Sequence, residues 1–168
     1  MAHKPDSQDI CFVPDNDYAA VIRREASDRV PKPGNFVTAD GKILGQHKGI
    51  IHYTLGQRRG LGIPADTRLY VCRISPETNR VILGKEEELY CQELTAGEVN
   101  LISCDSMPEP VRVRAKIRYR HTEEPAAAWQ TPDGKLHVKF DQPQRAVTRG
   151  QAVVLYDGDV VVGGGIIE

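Results

Sequence analysis

The chain has 168 residues, of which 40% are hydrophobic and 27% charged, the balance of a soluble globular protein with room for one medium domain or two small ones. A formal net charge of −1 excludes a global field that draws the chain to nucleic acid, so an RNA-binding surface has to be a local patch. Met1-Ala2-His3-Lys4-Pro5-Asp6 has no apolar secretory core, no apolar run is long enough to span a bilayer, and Cys11, Cys72, Cys91 and Cys104 lack CxxC spacing; this argues against a zinc site or a disulfide framework and for a reduced, cytoplasmic protein.

A short apolar segment, Ile10-Cys11-Phe12-Val13, opens the readable pattern. Pro14-Asp15-Asn16-Asp17 supplies a helix start, and Tyr18, Val21 and Ile22 recur at helical spacing, predicting two to three turns to about residue 26. Pro31-Lys32-Pro33-Gly34 ends that segment. Two strand–turn–strand patterns follow. Residues 35–38 and 42–45 flank Ala39-Asp40-Gly41, and residues 69–74 and 80–84 flank Ser75-Pro76-Glu77-Thr78-Asn79. Glu86-Glu87-Glu88 marks a boundary placed near Tyr90, giving units 1–90 and 91–168. Beyond it, strands are predicted at about 98–101, 111–119, 126–130, 136–140, 152–156 and 160–167, with turns rich in Asp, Gly and Pro. The expected fold is mainly β with a short helical segment. It comprises a small mixed α/β module followed by a six-stranded antiparallel β-barrel.

Three segments carry possible chemistry. Residues 111–120 alternate strictly: Val111, Val113, Ala115, Ile117 and Tyr119 would share one strand face, and Arg112, Arg114, Lys116, Arg118 and Arg120 the other. Five like charges in a row repel one another unless a polyanion or acidic cross-strand partners offset them, and both readings stay open. The stretch 45–63 is dense in glycine, histidine and base. Gln57-Arg58-Arg59 offers guanidinium forks to phosphate, yet no P-loop is present, and a turn-rich connector with surface histidines accounts for the same composition. Cys11 precedes a helix start, which favours a thiolate, but no base can be assigned to it, so a cysteine hydrolase is disfavoured. Gly163-Gly164-Gly165 follows a strand and precedes no helix, so a bulge or tight strand crossing is expected there.

Several motifs occur together in one order: Ser7-Gln8-Asp9-Ile10-Cys11-Phe12, Gly45-Gln46-His47-Lys48-Gly49, Tyr53-Thr54-Leu55-Gly56-Gln57-Arg58-Arg59-Gly60-Leu61-Gly62, Lys116-Ile117-Arg118-Tyr119-Arg120, Pro143-Gln144-Arg145-Ala146-Val147-Thr148-Arg149-Gly150-Gln151 and Gly163-Gly164-Gly165-Ile166. In these the chain resembles the central and C-terminal domains of bacterial tRNA-specific 2-thiouridylases. The resemblance implies an enzyme that replaces the 2-oxygen of the wobble uridine with sulfur, using ATP and a cysteine persulfide. It implies that Cys11 carries the persulfide, that Arg118, Tyr119 and Gln151 touch tRNA, with Lys116 and Arg120 also tRNA-binding, and that the loop at Gln57, Arg58 and Arg59 helps seat the RNA. It also implies a sulfur-donor relay protein or cysteine desulfurase as partner. The ATP-binding loop of the SGGxDS type is not in this sequence, so no cofactor is expected in the chain itself and it is expected to be inactive alone. Arg149 stands where many members have proline. A non-catalytic RNA-binding module with a translation-factor-like barrel is the alternative.

Overall fold

The computed structural model describes residues 18–25 and 30–168. Helix α1, Tyr18–Glu25, falls where the helical spacing placed it. Arg23 and Arg24 in its last turn complement the partial negative charge of the helix C-terminus.

Four strands follow: β1 (Gly34–Val37), β2 (Ile43–His47), β3 (Tyr70–Ser75) and β4 (Arg80–Gly84). They form one sheet in the order β2-β1-β4-β3. The two hairpins, β1–β2 and β3–β4, are antiparallel, and β1 joins them by pairing parallel to β4. A parallel pairing needs a long crossover. Here the stretch between β2 and β3 supplies it, and that stretch carries the glycine- and arginine-rich loop. The sheet buries Phe36, Val71, Val81 and Leu83 against Leu61 of the crossover, with Ile50, Tyr53, Leu55 and Ile63 packed around them. Anchoring by these five apolar crossover residues leaves the polar residues between them at the surface.

The remaining strands are β5 (Tyr90–Leu101), β6 (Val111–Lys116), β7 (Glu124–Gln130), β8 (Leu136–Arg145), β9 (Ala152–Asp157) and β10 (Val160–Ile167). They close into a barrel in the order β10-β5-β8-β7-β6-β9, every pair antiparallel. The expected six-stranded antiparallel barrel is therefore present. Its interior alternates large and small side chains: Phe140, Leu136, Val138, Val153 and Leu155 are set against Ala96, Ala115, Ala126 and Ala128. Six strands enclose little space, and the alanines keep the interior from overfilling.

Three strand limits differ from the sequence reading by three residues or more. β5 begins at Tyr90 rather than residue 98, because Leu94 and Ala96 face the core between exposed or half-buried polar neighbours. β8 runs on past Phe140 to Arg145 and includes Pro143. Beyond Phe140 it pairs with β5 alone, and an edge tolerates a residue without an N–H. β6 ends at Lys116 instead of Tyr119, which changes the placement of the basic side chains.

The expected tight crossing at Gly163-Gly164-Gly165 is observed. The β10 register shifts on both of its edges around these residues, against β9 between Val161 and Gly163 and against β5 between Gly164 and Ile166. A Cβ on Gly163 would sit 2.6 Å from the Asn100 carbonyl oxygen, and one on Gly165 would sit 2.6 Å from that of Gly97. A Cβ on Gly164 would fall on the Val153 carbonyl oxygen.

Candidate nucleic-acid interface

The basic strand resolves into two parts. Within β6, Val113 and Ala115 point into the barrel while Arg112 and Arg114 point out, as alternation requires. Arg112 makes a two-pronged pair with Asp141 on β8, at 2.8 and 2.6 Å. Arg114 lies 3.8 Å from the Glu123 carboxylate. Acidic neighbours therefore offset these two charges. The fork lowers the Asp141 pKa and raises that of Arg112.

The second part is the turn that follows. Ile117 remains in the core, and the chain then reverses through residues 118–121, closed by a His121 N–H to Arg118 carbonyl bond of 3.0 Å. Tyr119, predicted to share a strand face with Val113 and Ala115, is 65% exposed, because the strand has ended before it. The Lys116 ammonium lies 5.9 Å from its ring centroid, at the outer limit of a cation–π contact. Arg120 is exposed. Arg118 does not share a face with Arg112 and Arg114. Its Nη1 turns back to donate to the carbonyls of Arg145 and Ala146, at 3.2 and 3.3 Å. The His121 ring is held by Gln144: Nε2 donates to Gln144 Oε1 at 3.1 Å, and the Gln144 amide in turn donates to the Gln142 carbonyl at 2.7 Å. Burial first, and then the Arg118 charge, push the His121 pKa down.

The crossover loop presents Arg58 and Arg59 on its surface, and neither guanidinium makes a hydrogen bond or ion pair among the described residues. It is anchored to β3 by the Gly56 N–H to the Val71 carbonyl at 2.8 Å and the Val71 N–H to the Gln57 carbonyl at 2.9 Å. The Gln57 side chain is a brace of the loop: Oε1 accepts from Thr54 N–H, and Nε2 donates to the Arg59 carbonyl, both at 3.0 Å. Gln151 is exposed just before β9, and its carbonyl accepts from Ile167 N–H at 2.9 Å. Cys11 lies outside the described residues. Cys72, expected in a strand core, is half-buried on β3. Burial, and secondarily Glu88, raise its pKa, while burial raises that of Cys91.

His47 overturns the reading of the loop histidines as surface groups. It is 1% exposed, edge-on to Phe36 and Tyr53. Its Nδ1 accepts from Gly49 N–H at 3.1 Å, which leaves Nε2 to donate to the Asn79 carbonyl at 3.1 Å. Both ring nitrogens are satisfied by the neutral ring, and desolvation lowers the pKa against a smaller opposing effect of the Asn79 bond. The folded pKa of both His47 and His121 thus lies below the ordinary imidazole value of about 6.5. In that window the unfolded chain binds more protons, so their contribution to stability is complete above about pH 6.5 and is lost as pH falls toward the folded values. The urea midpoint should therefore fall between pH 7 and pH 5.5, and fall less in His47→Phe. A midpoint constant or rising on acidification would contradict these assignments.

The sequence reading gave no role to Arg145. It lies at the end of β8, in the Pro143–Gln151 motif, and supplies one of the two carbonyls that hold Arg118.

Two family models match the chain. One, described as a tRNA methyl transferase PRC-barrel domain, matches residues 26–85. The other, an aminomethyltransferase β-barrel domain, matches residues 91–167. Among similar proteins is the tRNA-specific 2-thiouridylase MnmA of Acetivibrio thermocellus, 58% identical over the whole chain and 46% of its own length. The MnmA 2 of Caldanaerobacter subterraneus is 55% identical over the same shares, and the MnmA of Clostridioides difficile is 51% identical over 99% of the chain and 46% of its own length. The chain thus spans under half the length of these relatives. Its two consecutive matched regions, and identities above one half along its whole extent, show that the chain belongs to the tRNA-specific 2-thiouridylase family.

Proposed function

We propose that this chain supplies the tRNA-docking surface and the sulfur-carrying cysteine of a tRNA 2-thiouridylase. Residues 1–90 act as the central module and residues 91–168 as the docking barrel. The observation that carries the docking role is the turn after β6. It exposes Tyr119 and Arg120, with Lys116 beside the Tyr119 ring. An exposed aromatic ring among cations suits a stacked base flanked by phosphates. Arg58 and Arg59 add exposed guanidinium groups, unpaired among the described residues, on the crossover loop, and Gln151 adds an exposed amide. In this reading Cys11 holds the persulfide, a relay protein or desulfurase loads it, and the tRNA uridine receives the sulfur.

ATP is the cofactor the resemblance implies for the whole enzyme. The described residues do not fit it: the run of three glycines lies inside β10, paired on both edges, and no glycine-rich loop leads into a helix. Uridine activation is therefore assigned to the part of the relatives that this chain does not span.

Arg118→Ala should weaken tRNA binding by about tenfold and reduce the salt slope by about one phosphate equivalent. Affinity measured at several salt concentrations gives both values. An affinity and slope equal to the parent's would remove the turn from the interface. The alternative, an RNA-binding module without chemistry, keeps the docking surface but leaves Cys11 unable to accept sulfur.

A further inference from the structure

Arg145 touches both candidate RNA-facing segments, and it does so through different atoms. Its side chain, half-buried at the end of β8, reaches into the first module. The guanidinium Nε lies 3.5 Å from the Glu86 carboxylate, and its central carbon lies 5.9 Å from the Tyr70 ring centroid. The same guanidinium rests against Gly56, where a Cβ would stand 3.1 Å from Nη1. Gly56 immediately precedes Gln57-Arg58-Arg59, and its φ of +80° lies in the region glycine adopts freely. The backbone of Arg145 faces the other way. Its carbonyl and that of Ala146 accept from Arg118, at 3.2 and 3.3 Å, and the Ala146 N–H donates to the Leu89 carbonyl at 2.8 Å. With Glu86 on one side and the Tyr70 ring on the other, the Arg145 charge is already partnered.

We propose that Arg145 is a positioning residue that holds the Arg58–Arg59 loop and the Lys116–Arg120 turn as one polyanion-binding surface. This rests on the docking role proposed above. A surface assembled from two units binds a rigid partner well only when the units are pre-set, since otherwise binding must first order them. A planar guanidinium suits that task, because its fork fixes direction where an ammonium does not.

The test measures affinity for a tRNA transcript with uridine at the wobble position, at several salt concentrations. Arg145→Met keeps an apolar stem over Tyr70 and removes the fork. It should weaken binding by about tenfold with the salt slope unchanged, because Arg145 itself meets no phosphate. Arg145→Lys, which retains a charge for Glu86 but not the fork, should recover only part of that loss. Arg58→Ala should cost less in the Arg145→Met background than in the parent, because the loop has already lost its setting. General destabilisation would leave the two losses additive. Parental affinity in Arg145→Met, a slope reduced by one, or strict additivity would each overturn the proposal. If Arg145→Met does not fold by circular dichroism, Glu86→Gln takes its place: a several-fold weakening that is non-additive with Arg58→Ala supports the proposal, and parental affinity overturns it. A parent chain that does not bind tRNA sinks the docking reading together with this one. Binding by the parent that is indifferent to Arg145 sinks this one alone.

Discussion

Gly164→Ala is expected to lower stability by about 3 kcal/mol or more, at the upper end of what overpacking costs. The Cβ would meet the Val153 carbonyl oxygen, which is backbone and cannot swing aside as a long side chain can. Relief requires β9 and β10 to separate where they pair, Gly164 with Val154 and Gly165 with Val153. β10 is also pinned to β5 on its other edge, through Gly163 with Leu101 and Gly164 with Asn100, so the displacement spreads to a third strand. For a chain of this size that loss corresponds to a drop in Tm of about 6–12 °C. Gly158→Asn is the control: Gly158 has a φ of +57° with open space around it, a conformation asparagine tolerates. A thermal melt in which Gly164→Ala stays within 2 °C or so of the parent, the shift of a marginal change, would show that the strands are not closely apposed there.

In a full-length version of the protein, Cys11→Ser is expected to abolish thiolation of tRNA while leaving tRNA affinity nearly intact. The change removes the sulfur nucleophile and very little contact area. Neither Cys72 nor Cys91 is well suited to replace it. Cys72 and Cys91 are held toward the thiol form by burial, and the Cys72 sulfur sits against the Tyr70 carbonyl on β3. Mass spectrometry of digested tRNA reports the 2-thiouridine directly. Thiolated product from the serine variant would remove Cys11 from the mechanism and leave the chain as an RNA-binding module.

Much of the fold was legible because strand alternation and turn chemistry are local signals. Asp40-Gly41 and Pro76–Asn79 located the two hairpins of the first sheet, and Val113 and Ala115 located the inward face of β6. The parallel pairing of β1 with β4 was not legible, since it depends on where a crossover of more than twenty residues returns. The end of β6 was misread for a related reason. Alternation continues through Ile117 and Tyr119, but the pairing partners stop earlier: β7 pairs no further than Ala115 and β9 no further than Lys116. A strand ends where its neighbours end, and one strand's sequence does not contain that information. The same limit hid the acidic partners of Arg112 and Arg114, and it hid Arg145, whose contacts lie 59 and 89 positions away in Glu86 and Gly56. Composition left the role of His47 open, because a histidine among glycines and lysines resembles a surface group until the Asn79 carbonyl is brought beside it.

The barrel is closed by the pairing of β5 with β10, the first and last of its six strands to be synthesised. During translation β5, β6, β7 and β8 can assemble early, but β5 keeps a bare edge until residues 160–167 have cleared the ribosome exit tunnel. An unpaired edge of twelve residues is a template for adhesion to any other extended chain. The nascent barrel is therefore most vulnerable just before β10 emerges, when five of its six strands exist and its seam is still open.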